Sequence, residues 1–354
     1  METAERSASA PPARMMELTT GTWVSQAISA AAELGVADAL ADGPRHVDDI
    51  ATTVGADPAG LYRLLRALAD IEVFAELDGR RFASTPLGDL LRDEAPGSLR
   101  HWAIMVGRPF HRAAWTGLLD GVRTGASAFE RTHGARAWDY LQANPADGRV
   151  MDAAMTTVSS QIIAPAFTSH DFGSARTVVD VGGGQGALLA AILTANPHIR
   201  GVLFDLPHVV AGRVAGFGER CVSVAGDFFE SVPAGGDVHV LSNIIHDWDD
   251  DAAVRILRNC RAALNPGGRV LLGESVLPDE IRPSRAKWMD LEMLVMNVRG
   301  ARQRTRREYR DLFARAGLRL TRIMGDGEVF ALVEGVPERD APEHGAVERT
   351  GRRP

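Results

Sequence analysis

Hydrophobic and polar positions follow two different patterns in the two halves of the chain. In the first half, small and apolar side chains recur every three or four residues, as in ELTTGTWVSQAISAAAELGVADAL (17–40), which predicts helices. HVDDIATTVGADPAGLYRLLRALA (46–69) predicts two helices and a turn, with Asp57 as N-cap of the second. FAELDGRRFAS then predicts a hairpin that turns at Asp78–Gly79. We therefore expect a mainly α-helical domain of winged-helix type over residues 13–165.

In the second half, short β-branched runs alternate with helical stretches. RTVVDVGG, IRGVLFDLP, CVSVAGDFF, DVHVLSNII and RVLLGESVL predict strands, and DDAAVRILRNCRAALNPGG predicts a long helix ending at Gly267–Gly268. A shorter helix is expected over residues 208–218. This alternation predicts an α/β domain with a mostly parallel sheet, which we assign to residues 166–337. The polar tails, residues 1–12 and 338–354, are predicted to be disordered.

Four glycines follow the first strand of this sheet, in VVDVGGGQGALLAAIL (178–193). Glycine reaches positive φ and has no side chain, so Gly182 and Gly184 would let a ligand rest against bare backbone at a helix start. Asp205 ends the next strand, where a carboxylate can accept hydrogen bonds from ribose hydroxyls. Asp180 precedes the loop, and its charge would repel a pyrophosphate but attract an ammonium group. These features favour S-adenosylmethionine over NAD, although both aspartates would also serve as turn caps.

Two further strand ends carry candidate chemistry. In GDFFESVP, Asp227 is placed to accept a hydrogen bond from an adenine amino group, and Phe228 to pack on the ring or in the core. In LSNIIHDWDDD, His246 titrates near neutrality and is a candidate general base for an acceptor hydroxyl. Glu274 ends the following strand, where its carboxylate would hold the distal ring nitrogen. A structural, hydrogen-bonded histidine is the competing interpretation.

Three consecutive aspartates, residues 249–251, invite comparison with a metal site. A helix follows them directly, so Asp249 as N-cap and two acidic residues in the first turn account for the cluster. No spaced His, Cys or Asn completes a coordination set, and we predict that the protein holds no metal.

Length and charge limit the remaining possibilities. The 354 residues suffice for two domains, and the net charge of -7 disfavours nucleic acid as a partner. Acidic side chains outnumber basic ones in the winged-helix segment, which favours a structural or dimerising role over DNA binding. No signal peptide or run of about 18 apolar residues is apparent, so we predict a cytoplasmic protein without a membrane partner. Cys221 and Cys260 are expected to be reduced.

Several motifs together resemble the plant-type, caffeic acid O-methyltransferase-like enzymes that use S-adenosylmethionine, and especially their bacterial natural-product relatives. VVDVGGGQG, FDLPHV, GDFFESVP, IIHDWDD, LNPGGRVLLGE and RQRTRREYRDLFARAGL occur in the order and at the spacing of that family. The resemblance covers nearly the whole chain. It implies a class I, Rossmann-like methyltransferase domain after a helical dimerisation domain, a homodimer, and no metal. It also implies a small aromatic acceptor with a phenolic or enolic hydroxyl, polyketides being one such class.

The resemblance assigns roles to individual positions. His246 would be the base, flanked by Glu274, with Asp247 helping to place the acceptor hydroxyl. Together with the residue-level reasoning above, it places cofactor contacts at Asp180, Gly182, Gly184, Asp205, Leu206, Gly226, Asp227, Phe228, Ser242, Asn243, Met155 and Ser159. WMDLEMLVMN resembles the acceptor-binding helix, although a methionine stripe is also typical of a core. The acceptor pocket would then be lined by Met289, Met293, Asn297 and Gln303.

One position departs from the plant pattern, since Gln303 stands where plant members carry a second Glu beside the base. An amide can form hydrogen bonds but cannot stabilise an imidazolium by charge. The arginine run over residues 299–310 is interpreted as a solvated face, or as an attraction for an acidic acceptor. Alternative functions are hydroxylase-like chemistry on the same fold, a winged-helix regulator with a vestigial ligand domain, and an NAD-linked oxidoreductase.

Overall fold

The computed structural model describes residues 10–211, 218–325 and 330–338. Its helices are α1 (Pro11–Thr19), α2 (Gly21–Leu34), α3 (Val36–Ala39), α4 (Val47–Val54), α5 (Pro58–Ala69), α6 (Arg100–Gly107), α7 (Pro109–Thr116), α8 (Leu118–Thr124), α9 (Ala128–His133), α10 (Ala137–Ala143), α11 (Pro145–Thr157), α12 (Ala164–Thr168), α13 (Ala187–Ala195), α14 (Pro207–Val210), α15 (Asp250–Ala263), α16 (Ala286–Met296) and α17 (Arg306–Arg315). Its strands are β1 (Arg45–His46), β2 (Phe74–Leu77), β3 (Arg81–Ser84), β4 (Thr177–Val181), β5 (Arg200–Asp205), β6 (Cys221–Ala225), β7 (Gly236–Ser242), β8 (Leu264–Glu274), β9 (Val276–Leu277), β10 (Arg304–Thr305), β11 (Leu318–Met324) and β12 (Ala331–Pro337). Short 3-10 turns span Gly88–Leu91, Gly218–Arg220 and Ile245–Asp247, and a π-helical turn spans Val158–Ile163.

Parts of two sequence predictions fall outside this description. Residues 1–9 and 339–354 of the expected tails lie outside the described residues, whereas α1 begins at Pro11. Residues 212–217 of the helix expected over 208–218 also lie outside them.

The N-terminal part contains the winged-helix-type motif. The β2–β3 hairpin follows α4 and α5, and β1 pairs with β3 to complete a three-stranded sheet. Asp57 caps α5 as predicted, because its Oδ1 accepts a hydrogen bond from the Gly60 N–H at 2.7 Å. Apolar side chains from α2 to α5 and from the hairpin pack into one core.

A seven-stranded sheet forms the C-terminal part, in the order β11-β12-β8-β7-β4-β5-β6. The strands from β8 to β6 are parallel, and β12 and β11 are antiparallel to their neighbours. Val179 and Leu241 pack with α15 and α17 on one face, while Val178 and Val240 pack with α13 on the other. Because helices cover both faces, the carboxyl ends of the parallel strands are the open edge for a ligand.

Helix α16 connects the two parts of the molecule. Its buried Val295 and Met296 pack into a core formed by the N-terminal helices, with Phe110 of α7, Phe129 of α9 and Met151 of α11. The segment expected to line an acceptor pocket is therefore held by the helices that precede the sheet.

The long helix α15 ends earlier than the sequence predicted. It stops at Ala263 rather than at Gly267–Gly268, and β8 begins at Leu264, opposite Gly236 of β7. Pro266 excludes a helix that continues to Gly267–Gly268, since proline has no N–H and disfavours helical geometry in the residue before it. The pairing of Leu264 with β7 then sets the helix end at Ala263.

Candidate active site

His246 lies in a turn that begins just after β7. This segment, residues 245–248, is called the histidine turn below. β7 pairs in parallel with β8, so Glu274 at the end of β8 reaches the turn. Glu274 Oε2 accepts a hydrogen bond from His246 Nδ1 at 2.5 Å, and its Oε1 accepts one from the Ile245 N–H at 2.9 Å. The carboxylate thus holds both the ring and the backbone, and it keeps a proton on Nδ1.

A second carboxylate lies on the other side of the ring. Asp247 Oδ1 is 3.3 Å from His246 Nε2 and accepts a hydrogen bond from Asn297 Nδ2 at 2.7 Å. Burial by itself lowers the pKa of His246, but the charges of Glu274 and Asp247 outweigh it and raise the pKa to about 10. The two carboxylates therefore favour the protonated form of the ring. The ring must lose a proton before it can accept one from a hydroxyl.

The glycine loop, residues 182–186, lies against Ile244, the residue that precedes the histidine turn. A Cβ at Gly182 would lie 2.5 Å from Ile244 Cδ1, and one at Gly183 would lie 2.6 Å from Asp180 Cγ. Gly182 also has φ of 70°, a value that L side chains rarely adopt. The chain therefore keeps bare backbone at this point, next to the residue that precedes the turn.

Asp180 is buried near the end of β4, and its Oδ2 has no hydrogen-bond partner among the described residues. Burial, and then the charge of Asp205, raises the pKa of Asp180 to about 7. A buried oxygen without a partner costs stability, so such groups commonly serve a ligand. An orphaned carboxyl oxygen beside bare glycine backbone fits the ammonium end of S-adenosylmethionine.

Asp205 occupies the end of β5, beside the same loop. Its Oδ2 accepts a hydrogen bond from the Gly184 N–H at 2.8 Å, and its Oδ1 accepts one from the Leu206 N–H at 2.7 Å. Burial raises the pKa of Asp205 although both N–H groups act against it. Each carboxylate oxygen has a further lone pair, so both can still accept from a pair of hydroxyls.

The following strand end contains Asp227 and Phe228. Asp227 Oδ1 accepts a hydrogen bond from the Phe229 N–H at 2.8 Å. The Phe228 ring packs edge-on against Phe229 and Trp248, with centroids 5.0 and 6.0 Å away, and lies 3.5 Å from a Cβ built on Gly182. Phe228 therefore lies at the edge of the hydrophobic core and also borders the glycine loop.

The other predicted cofactor residues surround this edge in different settings. Ser242 ends β7, and its buried Oγ has no partner among the described residues, while Asn243 has a positive φ of 55°. Gly226 is needed for packing, because a Cβ there would lie 2.6 Å from a phenylalanine ring of β5. Met155 lies near the end of α11, and Ser159 lies in the π-helical turn, a feature often found at functional sites.

The predicted acceptor residues of α16 have two kinds of environment. Met293 is buried and Met289 is half-buried. Asn297, just after the helix, has its Nδ2 within 3.1 Å of Met293 Sδ as well as bonded to Asp247. Asn297 thus reaches the histidine turn directly.

Gln303 is almost fully buried, with a relative exposure of 1%. Its backbone N–H donates to Asp290 Oδ1 of α16 at 2.8 Å. Neither polar atom of its side-chain amide has a partner in the described part of the chain. It therefore has a free donor and a free acceptor between α16 and the histidine turn.

Sequence reasoning missed three groups of polar contacts. Burial raises the pKa of Asp152 of α11, the charge of His208 lowers it and that of Asp205 raises it, so this residue lies near the end of β5. Glu292 of α16 binds His111 Nε2 at 2.8 Å and accepts from Trp115 Nε1 at 2.8 Å. The signal in the sequence for these contacts was an acidic residue inside the apolar stretch LEMLVM.

The third group lies in the arginine run. The interpretation of this run as a solvated face is wrong for Arg304, which has a relative exposure of 0%. No sequence signal separates Arg304 from the other arginines, because its partners include backbone carbonyls.

Asp249 caps α15 as predicted, since its Oδ1 accepts a hydrogen bond from the Ala252 N–H at 2.8 Å. Within the described ranges, no group of three His, Cys, Asp or Glu side chains is arranged to hold a metal ion. None of the helices in those ranges is long and apolar enough to cross a membrane.

Comparison with known families identifies both parts of the chain. Residues 115–319 match the O-methyltransferase domain, and residues 16–93 match the O-methyltransferase dimerisation domain. The chain belongs to this O-methyltransferase family. It is a methyltransferase with an α/β class I fold, a helical dimerisation domain and S-adenosylmethionine as its cofactor, so these predictions are confirmed. The regulator and NAD-linked alternatives are thereby set aside.

The similar proteins come mainly from natural-product biosynthesis. The chain is 43% identical to the phenazine O-methyltransferase PhzM of Lysobacter antibioticus, over 91% of this chain and 95% of that protein. It is 40% identical to the 3-amino-4-hydroxybenzoate 4-O-methyltransferase of Streptomyces cremeus, over 88% of this chain and 86% of that one. The crystal structure of LaPhzM superposes with a TM-score of 0.86 at 42% identity, covering 93% of this chain and 100% of that one. The S-adenosylhomocysteine-bound structure of CalO1, a methyltransferase in calicheamicin biosynthesis, has a TM-score of 0.82 at 35% identity, covering 95% and 100%.

Relatives with other chemistry lie at comparable distance. The aclacinomycin 10-hydroxylase RdmB of Streptomyces purpurascens is 35% identical over 89% of this chain and 88% of that protein. The phenazine-1-carboxylate N-methyltransferase of Pseudomonas aeruginosa is 35% identical over 88% of this chain and 92% of that protein. Fold and cofactor alone therefore do not define the acceptor atom.

Proposed function

We propose that this protein transfers the methyl group of S-adenosylmethionine to a phenolic or enolic hydroxyl of an aromatic secondary metabolite, with His246 as general base. The observation that supports this most directly is the position of His246. Its ring lies between two carboxylates at the open edge of the sheet, and the residue before its turn touches the glycine loop.

The cofactor supplies a methyl group that is already activated by a positive sulfur, so the protein has to orient the acceptor oxygen and remove its proton. Glu274 keeps a proton on Nδ1 of His246, which leaves Nε2 as the atom that takes the hydroxyl proton. Alignment of this kind can supply several kcal/mol, and a general base typically adds about 10²–10⁴-fold.

The raised pKa of His246 means that the ring has to lose a proton before it acts as a base. A cation bound at the glycine loop would lower the pKa of His246, because two nearby positive charges repel. An acceptor hydroxyl that enters between Nε2 and Asp247 would separate the ring from one of its two carboxylates. Asn297 would retain Asp247 beside the acceptor oxygen, which matches the positioning role expected for that aspartate.

The acidic residues at the strand ends would bind different parts of the cofactor. Asp180 would bind the ammonium group, Asp205 the ribose hydroxyls and Asp227 the adenine amino group, with Phe228 against the ring. The remaining proposed contacts are Gly182, Gly184, Leu206, Gly226, Ser242, Asn243, Met155 and Ser159.

The acceptor would lie between α16 and the histidine turn. Met289, Met293, Asn297 and Gln303 would contact it, and the buried amide of Gln303 would bind a polar substituent of its ring. Relatives that act on a phenazine and on an aminohydroxybenzoate make a planar aromatic acceptor the first choice. The N-terminal part would form a homodimer, as its match to a dimerisation domain suggests.

A mass-spectrometric assay tests the reaction. The protein is incubated with methyl-labelled S-adenosylmethionine and a panel that includes 3-amino-4-hydroxybenzoate, a hydroxyphenazine and a hydroxynaphthoate. We expect one labelled methyl on an oxygen of at least one compound. Gain of an oxygen would point to hydroxylase-like chemistry, and a labelled methyl on nitrogen would point to N-methylation.

A pair of histidine variants tests the base. His246→Ala should lose at least about 10²-fold in kcat, since a general base contributes about that much or more. Binding of S-adenosylhomocysteine should stay within a few-fold of the unmodified protein. The matched control is His198→Ala, at an exposed position outside the site. Full activity in His246→Ala would contradict the proposal.

A further inference from the structure

Among the described residues, Arg304 is the largest side chain that is completely buried. Its guanidinium spans the histidine turn. Nη1 donates to the Ile245 carbonyl at 2.9 Å, and Nη2 donates to the Trp248 carbonyl at 2.8 Å. Nη2 and Nε also donate to Asp250 Oδ1, at 2.8 and 3.0 Å. One side chain thus binds both ends of the segment that carries His246.

Burial of this charge requires an explanation. Removing a guanidinium from water costs several kcal/mol, and a buried ion pair often stabilises a protein no more than well-packed apolar side chains do. The Arg304–Asp250 pair alone therefore gives no clear reason for a charge here. The two carbonyl contacts do, because a planar guanidinium can bind several acceptors at once in a rigid arrangement.

The turn itself has little internal support. Its one short 3-10 segment has two backbone contacts, from the Asp247 N–H to the Ile244 carbonyl at 3.2 Å and from the Trp248 N–H to the Ile245 carbonyl at 3.4 Å, and the second is long for a hydrogen bond. Arg304 donates to the Ile245 carbonyl and also to the Trp248 carbonyl at the other end of the turn, so it adds to the weak internal contact. The spacing of the turn then depends on the guanidinium.

Glu274 holds the same turn from the opposite side. It accepts from the Ile245 N–H and from His246 Nδ1, whereas Arg304 binds carbonyl oxygens. The two side chains are in fixed register, because β10 pairs in parallel with β9 and places Arg304 opposite Val276. In addition, the backbone N–H of Arg302 donates to the His246 carbonyl at 2.9 Å.

We propose that Arg304 is a positioning residue for methyl transfer, which holds the histidine turn so that His246 keeps its contact with Glu274 and presents Nε2 to the acceptor. This inference rests on the proposed role of His246. Arg304 acts through the backbone of the turn and has no contact with the reacting atoms.

Arg302 offers a matched control on the same segment. Its guanidinium also binds Asp250, at 3.0 and 3.2 Å, and pairs with Glu308. Within the described residues, its side chain binds these two carboxylates and does not donate to a carbonyl of the histidine turn. Loss of the Arg302 side chain therefore removes ionic contacts to the same aspartate while leaving the carbonyl contacts of Arg304 in place.

The test compares Arg304→Lys and Arg304→Met with Arg302→Met. Lysine keeps the charge and can bind Asp250, but a single ammonium cannot bind both carbonyls as a fork does. Arg304→Lys is therefore expected to fold even where Arg304→Met does not. Each variant is measured for thermal stability, S-adenosylhomocysteine affinity, and kcat with the panel phenol that the unmodified protein methylates fastest.

The decisive readout is titration of the His246 imidazole by NMR in the unliganded protein, with its signal assigned by its absence in His246→Ala. His246 is faced by Glu274 of β8 and by Asp247 of its own turn, and a displaced turn weakens both contacts. In the Arg304 variants we expect the His246 midpoint to fall by at least about one pH unit and kcat to fall at least about 10-fold, which are equivalent free-energy changes. The affinity for S-adenosylhomocysteine should change less than about 3-fold, which is a small free-energy difference.

Arg302→Met should leave the His246 midpoint and kcat close to those of the unmodified protein. If the Arg304 variants lose only thermal stability, with the same His246 midpoint and kcat as Arg302→Met, Arg304 is structural and the inference is wrong. Full activity of His246→Ala is a separate result, which would overturn the proposed base rather than the hold of Arg304 on the turn.

Discussion

The site has a cofactor end, where β4 and β5 end, and a base end, where β7 and β8 end, and their acidic side chains have different partners. Where β4 and β5 end, Asp180 has an oxygen without a partner among the described residues, and Asp205 binds backbone N–H groups. Where β7 and β8 end, Glu274 and Asp247 flank the His246 ring, and their charges raise its pKa. The cofactor end therefore has a carboxyl oxygen that the described residues leave without a partner, while the carboxylates of the base end are bound to a side chain of the protein itself. Ligand binding should therefore remove a proton from Asp180 at the cofactor end. At the base end it should change which atom holds the proton of His246.

The largest effect on kcat should come from Glu274→Gln, which removes the charged partner of His246 at the base end. If the amide oxygen keeps its bond to the Ile245 N–H, the NH₂ group faces His246 Nδ1. The ring proton must then move to Nε2, which can no longer accept a proton. We expect kcat to fall roughly 10²-fold or more, about the lower end of a general-base contribution.

Glu334→Gln is the matched control, since Glu334 is a buried carboxylate of the same sheet that binds Thr321 and Arg322 away from the site. Both variants should lose stability, but only Glu274→Gln should lose methyl transfer. Equal kcat values for the two would show that the charge at the base end has no catalytic role.

Much of this contrast was accessible from the sequence. The strand ends placed Asp180, Asp205, His246 and Glu274 on one edge, because parallel strands align their carboxyl ends. The position of Asp247 against Nε2 was not accessible, since it depends on the path of a single turn. Arg304 was hidden for a related reason, because two of its partners are carbonyl oxygens that every residue carries.

The same limit applies to helix ends and local irregularities. α15 stops at Ala263 because Leu264 enters the sheet next to β7, which is a tertiary contact rather than a feature of helical periodicity. The π-helical turn around Ser159 has no residue pattern of its own. Periodicity predicts which elements exist, whereas their last residues depend on what they pack against.

At the cofactor end, the raised pKa of Asp180 predicts pH-dependent binding. Its pKa is about 7 in the unliganded protein, so below that pH the carboxyl is neutral and must lose a proton to bind an ammonium group. Affinity for S-adenosylhomocysteine should rise between about pH 6 and pH 8, by up to about 10-fold per unit below the midpoint. Calorimetry in buffers of different ionisation enthalpy should detect proton release on binding at pH 6.5.

Asp180→Asn should remove this dependence and weaken binding by about 2 kcal/mol, or roughly 30-fold, because a buried charge pair loses one member. The unliganded variant should also be more stable than the unmodified protein near pH 8. The sign follows from the raised folded-state pKa, since the folded protein loses stability as Asp180 ionises between about pH 4 and 7. Unchanged affinity and an unchanged pH profile would mean that Asp180 does not face the cofactor.

The smallest expected effect tests whether the glycine loop contacts a ligand at all. Gly184 and Gly173 both have φ of 59°, and a Cβ at either would meet nothing within 4 Å. Gly184→Ala and Gly173→Ala should therefore cost similar stability, about 1–2 kcal/mol each, because the strain of the left-handed conformation is the same. Only Gly184 lies in the loop between Asp180 and Asp205, so only its new methyl group would meet a ligand resting on the backbone. We expect Gly184→Ala to lose about 3–10-fold in S-adenosylhomocysteine affinity, an effect of the size of one mild steric conflict, while Gly173→Ala keeps its affinity. Equal S-adenosylhomocysteine affinities of the two variants would place the ligand away from the loop. The contrast between a cofactor end that binds through backbone and a base end that acts through side chains would then be lost.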